Sequence, residues 1–337
     1  MTNFVLMTAM PPTTGHRNLI DFASALQGET TVILCTQPKE PLVEHRIGLV
    51  QDLCRVVNAN FIHIGHTMPQ NETEYIGFWD MWKGILEGYG FKPGDRIVAS
   101  ETYGLKLAEV CHGTFIPFDI NRNMDGSRAT HVRQDLFGNW DSLLPQTKSL
   151  LQKRITIFGA ESVGKTTMAN GIAFSLGLGY RHEFARPFLE QTGAELSRKK
   201  MMTIADGQTA LQKLRSSDPL IIQDTDLFST MGYFEMGDKS YGAFPNTLHW
   251  EANRLKSDLY IIPASNIPFE ADPLRYGGHE REASDEYWIG ICKDNNLKYE
   301  VVTETDPRKR QAAGVDLVLS EFYNDPDATE LKNYVRT

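Results

Sequence analysis

The stretch that most constrains this chain is "RITIFGAESVGKTT" (Arg154 to Thr167). A short β-branched apolar run leads directly into G-x-x-x-x-G-K-[ST] from Gly159 to Thr166, and a segment of helical character follows. Strand, glycine loop and helix in that order form part of a βαβ unit, in which the loop's backbone N–H groups converge on phosphates. Gly159 and Gly164 permit the turn, and Ser162 lies between them. Lys165 reaches the β- and γ-phosphates, and Thr166 offers its hydroxyl to Mg²⁺. Thr167 belongs to the first helical turn, where free amides and the helix dipole favour an anion. The expected ligands are therefore ATP and Mg²⁺.

Similar apolar runs recur along the chain, separated by helical stretches. Before the motif they are "FVLMT" (Phe4 to Thr8), "TVILC" (Thr31 to Cys35), "FIHIG" (Phe61 to Gly65) and "RIVAS" (Arg96 to Ser100). Helices are expected near 15–26, 44–57 and 73–89. After the motif the runs are "LIIQD" (Leu220 to Asp224), "DLYII" (Asp258 to Ile262) and "YEVVT" (Tyr299 to Thr303). This alternation predicts an α/β chain of two doubly wound parallel-sheet domains. The polar stretch "PQTKSLLQK" (Pro145 to Lys153) separates them, giving domains at 1–150 and 151–337.

Charge and composition exclude several function classes. A net charge of −9 over 337 residues disfavours generic binding to nucleic acid. No run approaches the ~18 apolar residues of a membrane-spanning helix, and "MTNFVLMTAM" reads as a first strand, not a signal peptide. Cys35, Cys54, Cys111 and Cys292 are scattered without Cys-x-x-Cys, so a reducing, cytoplasmic setting is expected, without a disulfide framework. His63 and His66 have no third ligand near them and read as ordinary surface or core histidines. A homo-oligomer is left open.

Partners for the phosphate loop lie after the other strands. "IIQDTD" puts Asp224 and Asp226 where a carboxylate would hold the metal, or where it would cap the next helix. "YRHEFARPF" puts Glu183 after a short strand, as a proton acceptor or a helix N-terminal carboxylate, with Arg186 one turn on. "PFEADPLRYGGHERE" reads as a lid bringing Arg275 and Arg281 to the transferring phosphate, or as a solvated loop. These parts describe a small-molecule kinase better than a motor or switch protein.

In the first domain, Thr13, Thr14, Gly15 and His16 follow the first strand. One glycine and no lysine exclude a second loop of the same type. A histidine in a first helical turn can donate to a phosphate, but taken alone this stretch is better read as a helix cap. "SRATHVR" adds Thr130, a candidate helix cap, with Arg133 in the first turn, and "SETYG" adds Glu101 at the same sheet edge.

Thr-x-Gly-His resembles the (H/T)xGH signature of the nucleotidyltransferase superfamily, and "SRATHVR" is similar to its I-S-x-T-x-x-R signature. Thr130 and Arg133 match, whereas Ser127 and Arg128 depart from the pattern. With "DINR" (Asp119 to Arg122), "GAESVGKTT", "EFAR", "QDTD" and "PFEADPLR" in order, nearly the whole chain resembles the bifunctional NadR-type proteins. These join nicotinamide mononucleotide adenylyltransferase to ribosylnicotinamide kinase. The chain begins at the first strand, so the N-terminal repressor domain of some members is not expected.

The resemblance implies that nicotinamide riboside is phosphorylated in the second domain and that the mononucleotide is adenylylated to NAD in the first. It makes His16 the α-phosphate donor, with Thr13 beside it in place of the commoner histidine. Thr130 and Arg133 would hold pyrophosphate, with Arg128 where serine is usual. Trp79 or Trp82 would stack on the nicotinamide ring, the alternative being two core aromatics. Lys165 would stabilise the γ-phosphoryl, and Glu183 or Asp224 would orient or deprotonate the hydroxyl. Two other readings stay open: the same chemistry on a different acceptor, or a nucleotide-sensing protein with a degenerate first site.

Overall fold

The computed structural model describes residues 1–69, 71–124, 128–236, 242–269 and 281–323, the side chains of 281–284 excepted. Two compact units divide between Leu151 and Gln152. Each is built on a five-stranded parallel sheet flanked by helices, the α/β class expected from the sequence.

The first unit runs β1 (Thr2–Met7), α1 (Thr14–Ala25), β2 (Glu29–Cys35), α2 (Val43–Val56), β3 (Asn60–Ile64), α3 (Phe78–Gly88), β4 (Arg96–Ala99), α4 (Tyr103–Val110), β5 (Thr114–Pro117), α5 (Ala129–Gln134) and α6 (Pro145–Leu151). Its strand order is β3-β2-β1-β4-β5. The central strand is apolar at consecutive positions because both its faces are covered. Val5 and Met7 join the cluster of Leu19, Ile20 and Ala23 from α1 with Val50 and Cys54 from α2. Phe4 and Leu6 join the opposite cluster, with Leu86 from α3 and Leu107 and Ala108 from α4.

Three elements differ from expectation. Helix α3 starts at Phe78, not near Thr73, because Asn71 holds a turn ahead of it: its Oδ1 accepts the Thr73 N–H (3.0 Å) and its Nδ2 donates to Glu74 (2.8 Å). Strand β5 is four residues long, ends in proline and lies at the sheet edge, so it carries little sequence signal. The polar segment from Pro145 forms a helix opened by that proline, and it buries Thr147 and Leu151.

The second unit runs β6 (Lys153–Ile157), α7 (Lys165–Leu176), β7 (Tyr180–Arg181), α8 (Ala185–Thr192), α9 (Arg198–Lys213), β8 (Leu220–Asp224), α10 (Leu227–Met236), α11 (Asn246–Arg254), β9 (Leu259–Pro263), α12 (Arg281–Asp294), β10 (Tyr299–Val302) and α13 (Pro307–Phe322). Its strand order is β10-β9-β6-β8-β7. In each sheet the chain leaves the central strand, β1 or β6, towards neighbours on opposite sides. The crevice at the carboxyl end of such a strand is where open α/β sheets bind ligands.

Candidate active sites

In the second unit the loop after β6 places Gly159 at φ 124° and Gly164 at φ 83°, backbone conformations suited to glycine. Ser162 is also left-handed, at φ 56°. Lys165 opens α7 and folds over the loop, its Nζ donating to the carbonyls of Gly159 (3.0 Å) and Ala160 (2.6 Å). The register sets Ile157 of β6 opposite Asp224 of β8, which brings the loop and that carboxylate together. The Thr166 hydroxyl donates to Asp224 Oδ2 at 2.5 Å, and the Tyr180 hydroxyl reaches the same oxygen at 3.4 Å. Asp224 Oδ1 is buried with no hydrogen-bond partner.

An unsatisfied carboxylate oxygen beside a threonine hydroxyl is a hard-oxygen pair that fits Mg²⁺. Among the described residues no group of three or more His, Cys, Asp or Glu could hold a metal ion.

The two aspartates expected after β8 part company here. Asp226 receives the Tyr260 hydroxyl (2.7 Å) and the Ser229 N–H (3.1 Å), so it caps α10, and burial pushes its carboxyl up to about 6. Asp224 alone faces the loop. Glu183, just past β7, is pushed up to about 7 by burial; Lys165 and Arg186 oppose the shift, and Asp224 and Glu161 add to it. Burial likewise raises the Asp224 carboxyl, against the pull of Lys165, Thr166, Tyr180 and Arg186. Arg186 also pairs with Glu190 on α8 at 3.8 Å.

Glu161, Tyr180 and Tyr233 are neighbours of this group that no motif indicated; burial raises the Tyr233 hydroxyl, and the carboxylates of Glu161, Glu183 and Asp224 add to the shift. Thr167 is exposed in the first turn of α7. Arg275 lies outside the described residues, as does the side chain of Arg281 at the start of α12.

In the first unit, Thr13 is the N-cap of α1 and His16 lies three residues on. The backbone N–H of Thr13 donates to His16 Nδ1 at 3.1 Å, and the Thr13 hydroxyl meets the same nitrogen at 2.8 Å. A backbone amide can only donate, so Nδ1 is an acceptor and the neutral ring carries its proton on Nε2. Thr13 and His16 therefore form one capping box. Thr13 is 1% exposed, and its hydroxyl is turned to the His16 ring. Thr14 donates to the Ser142 carbonyl (3.3 Å), and Gly15 is half-buried.

Arg133 reaches from α5 to the Met10 carbonyl (2.6 Å) and the Thr130 hydroxyl (3.0 Å), which brings the second signature to the loop of the first. The cap of α5 is Arg128, not Thr130, and Arg133 falls in the last turn of this six-residue helix. Ser127 lies outside the described residues. Glu101 is two-thirds exposed and faces Arg122 at 3.6 Å. Trp79 and Trp82 are half-buried against the α3–α4 side of the core, and the Trp79 indole N–H is taken by Glu72 (2.6 Å). This packing agrees with the core-aromatic alternative.

Arg46 is the group that sequence reasoning missed. It is fully buried, and its guanidinium donates to the Thr8 carbonyl (2.6 and 3.0 Å), the Cys35 carbonyl (3.2 Å) and Glu40 (2.7 Å). It thereby ties the carboxyl ends of β1 and β2 beneath the loop. Its signal was position: it shares the buried stripe of α2 with Leu49, Val50 and Cys54. Arg46→Met should lower unfolding free energy by about 3 kcal/mol, since it orphans two carbonyls and a partly buried carboxylate. A denaturant melt at neutral pH checks this; a loss below about 1 kcal/mol would mean that the pair acts as a surface one.

Residues 154–310 match the family model described as an AAA domain. The chain is 21% identical, over 91% of its length and 80% of theirs, to the trifunctional NAD biosynthesis/regulator protein NadR of Salmonella typhimurium LT2 and that of Escherichia coli K12. Among solved structures it is similar to NadR in complex with NR (TM-score 0.64, 16% identity) and to NadR in complex with NAD and AMP-PNP (TM-score 0.64, 17% identity). Each covers 95% of both chains.

Proposed function

We propose that this chain, which is of the NadR type, is a two-site enzyme of NAD salvage. Its second unit would phosphorylate nicotinamide riboside with ATP, and its first would adenylylate the resulting mononucleotide to NAD and pyrophosphate. The observation that carries the reading is the group around Lys165. A P-loop lysine, a hydroxyl–carboxylate pair and a second carboxyl raised to about 7 lie at the carboxyl end of one sheet. That is the equipment of phosphoryl transfer to an alcohol.

In the kinase step Glu183 takes the proton of the riboside 5′-hydroxyl as that oxygen attacks the γ-phosphorus, and the bond from the γ-phosphorus to the β,γ-bridging oxygen breaks to release ADP. Lys165 offsets the charge on the phosphoryl oxygens. Thr166 and Asp224 Oδ1 would hold Mg²⁺, whose charge neutralises the β- and γ-phosphates when bound. Asp224 serves the hydroxyl side less well, because its Oδ2 already accepts from Thr166 and Tyr180. In the adenylyl step the mononucleotide phosphate attacks the α-phosphorus of ATP. The His16 Nε2–H donates to the oxygen that gains charge, and Arg133, Thr130 and Arg128 steady the leaving pyrophosphate.

The contact of the Thr13 hydroxyl with the His16 ring weakens one of the two motives for the sensor reading, the other being Arg128. The test is one assay of nicotinamide riboside, ATP and Mg²⁺ that follows both mononucleotide and NAD. Lys165→Ala should abolish the mononucleotide yet leave NAD synthesis from supplied mononucleotide, and His16→Ala should do the reverse. Turnover of another acceptor, with none of nicotinamide riboside, would replace this assignment.

A further inference from the structure

Strands β7 and β8 pair at only two positions, Tyr180 with Ile222 and Arg181 with Gln223. Glu183 and Asp224 both lie past the last of these pairs, so the sheet does not set the distance between them. A buried side chain from α9 spans that gap. Gln208, 3% exposed, accepts the Phe184 N–H at 3.0 Å through Oε1 and donates to the Thr225 carbonyl at 3.3 Å through Nε2. Phe184 follows Glu183 directly, and Thr225 follows Asp224 directly.

Two further features tighten the bridge. Thr225 sits at φ 64°, an unfavourable conformation for a β-branched residue, so it needs outside support. Its N–H is held by the Ile157 carbonyl at the foot of the phosphate loop (3.0 Å), and its carbonyl by Gln208. On the other side, the Phe184 ring lies so close to α9 that a Cβ on Gly207 would come within 2.3 Å of it.

We propose that Gln208 is the positioning residue that fixes Glu183 and Asp224 at their working separation beside Lys165. The proposal rests on the kinase reading of the second unit and deepens it. A primary amide accepts through its oxygen and donates through its nitrogen across a fixed span while staying neutral at every pH of the assay. A charged group in its place would sit next to two carboxyls.

The test uses the full chain with Gln208→Met, which fills the space without either bond, and Gln208→Glu. Phosphoryl transfer from ATP to nicotinamide riboside is measured between about pH 5.5 and 8.5. Gln208→Met should lower kcat about 10- to 100-fold with KM for ATP within about twofold, the pattern of displaced groups and not of lost nucleotide binding. The activity of Gln208→Glu relative to wild type should approach one at low pH, where a neutral carboxylic acid makes both bonds, and fall progressively as pH rises and the acid ionises. Carbon-13 NMR titration of the Glu183 carboxyl gives a readout that needs no acceptor: its midpoint, near 7 in the wild type, should move down in Gln208→Met as the carboxyl gains water.

A Gln208→Met enzyme with kcat within about twofold of wild type, or an unmoved Glu183 midpoint in that variant, would overturn the proposal. A wild type that leaves nicotinamide riboside untouched, combined with a midpoint that moves, would overturn the acceptor assignment and uphold the brace. If Gln208→Met does not fold, the pH-dependent ratio of Gln208→Glu to wild type decides: a flat ratio overturns the brace.

Discussion

Glu183→Gln should lower the kinase kcat by about 10²–10⁴-fold, the range expected for removing a general base. The pH dependence should change with it. In the wild type the carboxyl is pushed up to about 7 and accepts a proton only when ionised, so kcat should rise as pH increases through about 7. The glutamine variant has no such limb. Stability should move the other way. The folded-state value lies above the unfolded value near 4.5, so between those two values the folded protein binds more protons than the unfolded one, and stability falls as pH rises through that window. Glutamine removes this penalty. Above pH 7 the variant should melt higher, by about 2–4 °C for each kcal/mol recovered. Measured pH–rate profiles and thermal melts at pH 8 give both answers. A variant that keeps the acid limb would move the base elsewhere, with Asp224 first in line.

That carboxyl illustrates where the sequence stops speaking. Gly159, Lys165 and Thr166 are legible because a phosphate loop needs fixed residue types at fixed spacing in consecutive positions. The sheets are legible for a similar reason: strands covered on both faces read as unbroken apolar runs, as "FVLM" does. Glu183 and Asp224 could be named as candidates, but their division of labour could not. It depends on Ile157 standing opposite Asp224 and on an amide from α9, contacts between residues far apart in the chain. Asp224 and Asp226 look alike in "QDTD", and it takes the Tyr260 hydroxyl, 34 residues away, and the Thr166 hydroxyl to separate the helix cap from the carboxylate beside the phosphate loop. Arg46 had no motif at all. Its meaning lies in the carbonyls it reaches, and these come from strand ends that no local pattern connects to it. Strand β5 failed for want of length, and Trp79 and Trp82 needed the core around them before their packing could be read.

His16→Ala should reduce adenylyl transfer by about 10²–10³-fold, the usual cost of removing one donor aimed at developing charge. Thr13→Val tests how that donor is held. Valine keeps the volume of a 1% exposed side chain and leaves the backbone N–H bond to Nδ1, while the hydroxyl's contacts with the ring and with the His16 N–H are lost. One neutral hydrogen bond is worth about 1 kcal/mol, so a loss of roughly fivefold is expected, with little change in KM for either substrate. The two substitutions therefore separate two roles for a threonine that stands where the signature it resembles often has histidine. If the Thr13 hydroxyl met phosphate directly, Thr13→Val would approach His16→Ala in severity and raise KM for ATP. If it supports the ring, the valine enzyme stays close to wild type in KM, and nitrogen-15 NMR finds the His16 proton on Nε2 in both. A ring with its proton on Nδ1 would contradict the donation from the Thr13 amide, and the adenylyl site would need a different donor.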